Sequence, residues 1–128
     1  MKKNGFTLIE LLAVIVILSV LAVITTPIIT SSINASKNAA YERQKEMIVK
    51  AAEEYVGENA ISYNKNAVCV TKLISEGYLK DDDMKNPSDK NENMKEGCAK
   101  TTFNSSGKNY TYEYKKKADC NSISDKDC

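Results

Sequence analysis

One segment constrains this chain more than any other: residues 6–29, Phe-Thr-Leu-Ile-Glu-Leu-Leu-Ala-Val-Ile-Val-Ile-Leu-Ser-Val-Leu-Ala-Val-Ile-Thr-Thr-Pro-Ile-Ile. As a helix it would be roughly 36 Å long, enough to cross a hydrocarbon layer of ~30 Å. Lys2 and Lys3 precede it, and no basic residue follows before Lys37. The positive-inside rule then puts the N-terminus in the cytoplasm and residues 31–128 outside. Glu10 is the anomaly. An acid inside a membrane segment costs up to ~3 kcal/mol on insertion scales. Thirteen Leu, Ile and Val residues between Leu8 and Ile24 supply about −4 to −8 kcal/mol on the same scale, so insertion wins. Burial gives no reason for the carboxylate, and an intramembrane acid is read as functional.

A secretory signal peptide would have a shorter apolar core, no acid within it and a small-x-small cleavage site behind it. Ser32-Ile33-Asn34-Ala35 matches such a site poorly. A plain single-pass anchor accounts for the length, but for neither Glu10 nor the Gly5-Phe6 edge.

Lys2-Lys3-Asn4-Gly5-Phe6-Thr7-Leu8-Ile9-Glu10 closely resembles the class III signal of type IV pilins and pseudopilins. In that family a short basic leader ends in Gly and meets Phe-Thr-Leu-Ile-Glu. The resemblance covers about the first 30 residues. It implies that a membrane-embedded prepilin peptidase cuts between Gly5 and Phe6, then methylates the new Phe6 amine. Gly5, with no side chain and a poor helix propensity, lets the scissile bond lie extended. The family also implies that Glu10 pairs with the N-terminal amine of a neighbouring subunit, which would relieve an uncompensated carboxylate in lipid. Pro27 fits the family as well. It lacks an N–H and clashes with the carbonyl of Val23, so a kink is expected there, with the hydroxyls of Thr25 and Thr26 available for freed carbonyls.

The rest of the chain is suited to water. Without Lys2, Lys3 and Glu10 it carries sixteen basic and sixteen acidic residues, a balance that argues against a general polyanion binder. It has no histidine, which removes the commonest general base and metal ligand. No nucleophile, base and orienting group can be assembled, so an enzyme is not expected, nor a cofactor. Cys69, Cys98, Cys120 and Cys128 all follow the apolar run, and outside the cell they would form two disulfides, with three connectivities open. Cys69–Cys98 and Cys120–Cys128 is the pairing we expect, the first tying a short helix to a strand and the second pinning the tail.

Apolar residues at Ile33, Ala40, Met47, Ile48, Ala51 and Tyr55 continue the helix amphipathically, to a stop near Gly57. Glu46 and Lys50 stand in the favourable i,i+4 order on its polar side. Residues 69–79 read as a short helix closed by Gly77, with Tyr78 and Leu79 tucking back. Its Leu73-Ile74-Ser75-Glu76-Gly77-Tyr78-Leu79 also resembles a segment of many Gram-positive pilins and pseudopilins. Residues 81–97 read as a polar surface loop. Lys100–Phe103 and Tyr110–Lys115 flank a turn-rich stretch and predict a hairpin, with Tyr110, Tyr112 and Tyr114 on one face.

Two further patterns have bland readings. Lys115, Lys116 and Lys117 beside tyrosines could hold single-stranded nucleic acid, but suit a solvated strand end better. Asp81-Asp82-Asp83 could bind calcium, yet lacks the EF-hand spacing.

The expected organisation is a leader (1–5), a transmembrane polymerisation helix (6–29) and an extracellular head (30–128). The fold class is α+β and pilin-like, a long helix against a small, mostly antiparallel sheet. The resemblance implies a structural subunit of a type IV pilus, serving adhesion, surface motility or aggregation. It would polymerise with its own copies and other pilins into a helical filament, with an assembly ATPase and platform as separate chains. It would lie in the cytoplasmic membrane before assembly and at the cell surface after it. A pseudopilin of a type II secretion or competence DNA-uptake system is the alternative, and a plain membrane-anchored module the alternative of another class.

Overall fold

The computed structural model describes residues 5–81 and 84–128. Lys2 and Lys3 of the leader, and Asp82 and Asp83 of the acidic run, lie outside these residues. The first element, α1, is a helix of 51 residues, Leu8–Glu58. Its end falls one residue past the expected stop at Gly57. Pro27 lies inside α1 and does not end it. Backbone contacts divide the chain into two units, Met1–Ser36 and Lys37–Cys128. The first carries the apolar run. The second is the head.

In the head, α1 is followed by β1 (Ala67–Cys69), α2 (Val70–Ser75), β2 (Cys98–Asn104), β3 (Asn109–Lys115), α3 (Lys117–Asn121) and β4 (Lys126–Asp127). The four strands form one sheet in the order β3-β2-β1-β4. The β2–β3 hairpin is antiparallel, with Asn104 opposite Asn109, and β1 pairs antiparallel with β2. The tail departs from expectation. β4 pairs in parallel with β1, Ala67 beside Lys126 and Val68 beside Asp127, so the sheet is mixed.

The core lies between the C-terminal part of α1 and one face of the sheet. Ile48, Ala51, Ala52, Tyr55 and Val56 of α1 meet Val68, Leu73, Ala99 and Tyr114 there, with Tyr110 and Tyr112 partly buried alongside. The three hairpin tyrosines thus share the face that the alternation assigned them. Of the expected α1 stripe, Ile33 and Met47 stay exposed. The other face of the sheet carries a small cluster of Ala67, Cys98 and Cys120, with Ile123 against it.

The stretch 81–97 is more than a surface loop. Met84 and Met94 are fully buried in the core. The Met94 N–H donates to the Met84 carbonyl at 3.1 Å, and Lys85 bridges to Asn93. Glu92 then fastens the loop outward, accepting from Tyr41 of α1 at 3.3 Å, from Asn86, and from Lys116 at 3.2 Å.

Helix α2 closes as its sequence suggested. Gly77 takes φ +85°, a region open to glycine at no steric cost. Its N–H donates to the Ile74 carbonyl at 3.1 Å, and the Tyr78 N–H to that of Leu73 at 2.9 Å, which is the Schellman pattern. Gly97 is needed for a different reason. A Cβ there would meet the Lys115 carbonyl oxygen at 2.6 Å and the Tyr114 ring and hydroxyl at 2.7 Å. Gly97→Ala is therefore expected to lose about 1–3 kcal/mol through overpacking, readable as a lowered thermal midpoint. An unchanged midpoint would mean that both the Tyr114 ring and the β3 backbone at Lys115 give way without cost.

The disulfides are Cys69–Cys128 and Cys98–Cys120, not the pairing expected from the sequence. Cys69 does face Cys98 across β1 and β2. One step beyond the β1–β4 register, however, brings Cys128 beside Cys69, with Cα atoms 4.9 Å apart. Cys98, at the outer face of the sheet, takes Cys120 of α3, with Cα atoms 5.9 Å apart.

Candidate functional site at the start of the long helix

Gly5, Phe6 and Thr7 precede the first helical residue, and all three are exposed. Phe6 is 91 % exposed, and a Cβ on Gly5 would touch nothing within 4 Å. The Gly5–Phe6 bond is therefore non-helical and free of neighbours among the described residues, a geometry that a peptidase can take up without unwinding a helix.

Glu10 does something here that the sequence reading missed. The Thr7 N–H donates to Glu10 Oε2 at 3.0 Å, and the Glu10 N–H donates to Thr7 Oγ1 at 3.3 Å. Thr7 is the N-cap and Glu10 the third helical residue, so the two form a reciprocal capping box. The ladder of α1 starts just above it, with the Leu11 N–H on the Thr7 carbonyl at 3.1 Å. A helix start has N–H groups with no partner in the helix, and in lipid each unsatisfied group costs several kcal/mol. The box satisfies two of them. The pattern was legible as Thr-x-x-Glu directly before an apolar run. Among the described residues no hydrogen bond reaches Glu10 Oε1, so one carboxylate oxygen remains for another donor.

Along this part of the chain, every residue from Gly5 to Ala39 is exposed. α1 is long and apolar enough to cross a membrane, and a bare apolar surface of this extent marks a membrane or protein contact. Four of its hydroxyls bond the helix backbone. Ser19 donates to the Ile15 carbonyl at 2.6 Å, Thr25 to Leu21 at 3.0 Å, Thr26 to Ala22 at 2.6 Å and Thr30 to Thr26 at 3.0 Å. Thr25 and Thr26 thus bond carbonyls near Pro27. The Val23 carbonyl, which the missing proline N–H leaves open, receives neither of them.

The other candidates take structural places. Lys115 pairs with Glu113 at 2.9 Å, Lys116 with Glu92 at 3.2 Å and Lys117 with Glu96 at 3.1 Å, so this run presents compensated charge. Asp81 pairs with Lys95. Among the described residues no group of three or more His, Cys, Asp or Glu side chains is placed to hold a metal ion. The expected Glu46–Lys50 pair is not among the ion pairs of the described residues; Glu42 and Lys45 pair instead at 2.8 Å.

Residues 1–26 match the family model of the prokaryotic N-terminal methylation motif, the class III signal of type IV pilins. The match covers the leader, the Gly5-Phe6 junction, Glu10 and most of the apolar run, and it stops short of the head. It implies processing by a prepilin peptidase, assembly into filaments and membrane anchoring before assembly. No curated protein and no solved structure matched the chain.

Proposed function

We propose that this chain is a structural subunit of a type IV pilus, without enzymatic activity, that polymerises through the apolar half of α1. The observation that carries the reading is the continuity of the methylation motif with a bare apolar helix whose start Thr7 and Glu10 cap. Cleavage after Gly5 turns Phe6 into a cationic end, four residues from the carboxylate. The capping bond occupies one oxygen of Glu10, and the other is open to the Phe6 amine of a neighbouring copy. In lipid such a pair neutralises two charges that neither copy can neutralise as well alone. Assembly is then favoured over the lone inserted subunit, while packing of the exposed Leu, Ile and Val surfaces between helices adds contact.

Mass spectrometry of the mature chain tests the first step. The N-terminal peptide is expected to begin at Phe6 and to carry one added methyl on its amine. An intact Met1, or a cut near Ala35, would replace the pilin reading by that of an anchored module or a secreted protein.

A further inference from the structure

The cysteines of the two disulfides have a second set of neighbours. Along β1, Val68 packs in the main core and Ala67 on the other face with Cys98 and Cys120, so alternation puts Cys69 on that other face as well. Cys98 of β2 stands directly opposite it. One step along, the Val70 N–H donates to the Gly97 carbonyl at 3.1 Å, and in an antiparallel ladder hydrogen-bonded pairs alternate with non-hydrogen-bonded ones. Cys69 and Cys98 are thus a non-hydrogen-bonded pair, the kind whose Cα atoms lie about 4.5 Å apart with the side chains closest. That spacing is within the reach of a disulfide. Each is nonetheless bonded elsewhere, Cys69 to Cys128 on the β4 side of β1 and Cys98 to Cys120 of α3.

The two bonds differ in access. Cys98 and Cys120 are buried, whereas Cys128 is exposed. Attack on a disulfide depends on access to one of its sulfurs, so a thiolate from solution enters at Cys128. The sulfur it displaces is that of Cys69, which already faces Cys98.

We propose that the four cysteines form a relay, in which a thiol from solution converts Cys69–Cys128 and Cys98–Cys120 into Cys69–Cys98 and Cys120–Cys128. The incoming thiolate attacks Cys128 Sγ, a mixed disulfide forms there, and Cys69 leaves as a thiolate. Cys69 then attacks Cys98 Sγ across the two strands, and Cys120 leaves as a thiolate. Cys120 attacks Cys128 Sγ in its turn and expels the thiol that began the sequence. Two disulfides stand at the start and two at the end, so the thiol is a catalyst and nothing is oxidised or reduced overall. The consequence falls on β4. In the first state a covalent bond adjoins its pairing with β1, and in the second none does. The tail then stays in place only by its own hydrogen bonds, such as that from the Asn66 N–H to the Asp125 carbonyl at 3.0 Å. All three residues of β1 are buried, so the relay governs how firmly a strand edge backed by core, a template for another extended segment, is kept covered.

The test holds the full chain, folded in detergent micelles, with a small amount of reduced glutathione at mildly alkaline pH. Samples are quenched with acid, alkylated, and their disulfide-linked peptides mapped by mass spectrometry over time. Glutathione is expected first on Cys128, followed by Cys69–Cys98 and Cys120–Cys128 together. The third connectivity, Cys69–Cys120 with Cys98–Cys128, is expected to be about tenfold or more rarer, because Cys98 and Cys128 flank Cys69 from opposite sides, roughly 10 Å apart and beyond disulfide reach. Bonds that stay unchanged under conditions that reshuffle the urea-unfolded chain would overturn the relay. So would a third connectivity as abundant as the second, which marks exchange through unfolding. Cys128→Ser supplies an independent reading, since it leaves Cys69 as a thiol opposite Cys98. This variant is expected to hold Cys69–Cys98 and a free Cys120 with no glutathione added, and retention of Cys98–Cys120 beside a free Cys69 would overturn the central step.

Discussion

Glu10→Ala is expected to insert, to be cut after Gly5, and to be all but absent from filaments. Insertion becomes easier, because the residue that costs up to ~3 kcal/mol in the segment is gone. The loss falls on assembly, where the Phe6 amine of a neighbour would face no carboxylate. Removing one partner of a buried ion pair costs about 3–5 kcal/mol, more than a hundredfold in the polymerisation equilibrium at about 1.4 kcal/mol per factor of ten. The capping box complicates the reading, since alanine removes the cap as well. Glu10→Gln separates the two roles. Glutamine serves at the same position of a capping box but carries no charge. It is expected to fail in assembly nearly as completely as alanine. Thr7→Ala does the converse: it gives up about 0.5–2 kcal/mol of cap and keeps the charge, so a few-fold drop is expected. A glutamine variant that polymerises like wild type would leave the cap as the whole role of Glu10.

The long helix was legible because its signals are local and redundant. The apolar run, the small residues Ala40 and Ala51, and the stop near Gly57 are read within a few turns of each other. The same holds for the closure of α2, where Gly77 supplies a backbone conformation that few other residues accept, and for the hairpin, where tyrosines alternate. What escaped depends on contacts distant in sequence. Met84 and Met94 sit in a polar stretch with no periodicity to mark them, and only the bridge between Lys85 and Asn93 turns both inward. β4 is two polar residues, Lys126 and Asp127, whose strand character comes entirely from lying beside β1. With β4 unseen, nothing in the spacing could bring Cys128 to Cys69. Thr7 is a different case. Its pattern was complete in the sequence, but a lone acid in an apolar run directs attention to a partner on another chain and away from a residue three positions off.

Replacing Cys69 and Cys128 together by serine is expected to destabilise the head by about 4 kcal/mol, the loop-closure value for the 59 residues that the bond spans. For a head of this size that amounts to a fall of roughly 15–30 °C in the thermal midpoint. The effect is large because the core is small, and a small core has little stability in reserve. The Cys98–Cys120 bond closes 22 residues, and its loss should cost slightly less, about 3.5 kcal/mol. Size alone would not separate the two, so a local readout is needed. Of the two disulfides, only Cys69–Cys128 adds a covalent tie to the pairing of β4 with β1, and β4 carries Asp127, which accepts from the Tyr55 hydroxyl at 2.6 Å. That bond, and then burial, push the Tyr55 phenol up to about 12. With its folded pKa raised, the contribution of this contact is complete below about pH 10 and is lost as pH rises through about 12. In the Cys69/Cys128 variant Tyr55 is expected to titrate nearer to 10, with the tail exposed to protease. In the Cys98/Cys120 variant it should keep its raised value. Spectrophotometric titration against a Tyr55→Phe background resolves the two, and a tyrosine that stays raised without Cys69–Cys128 would show that β4 holds its place unaided.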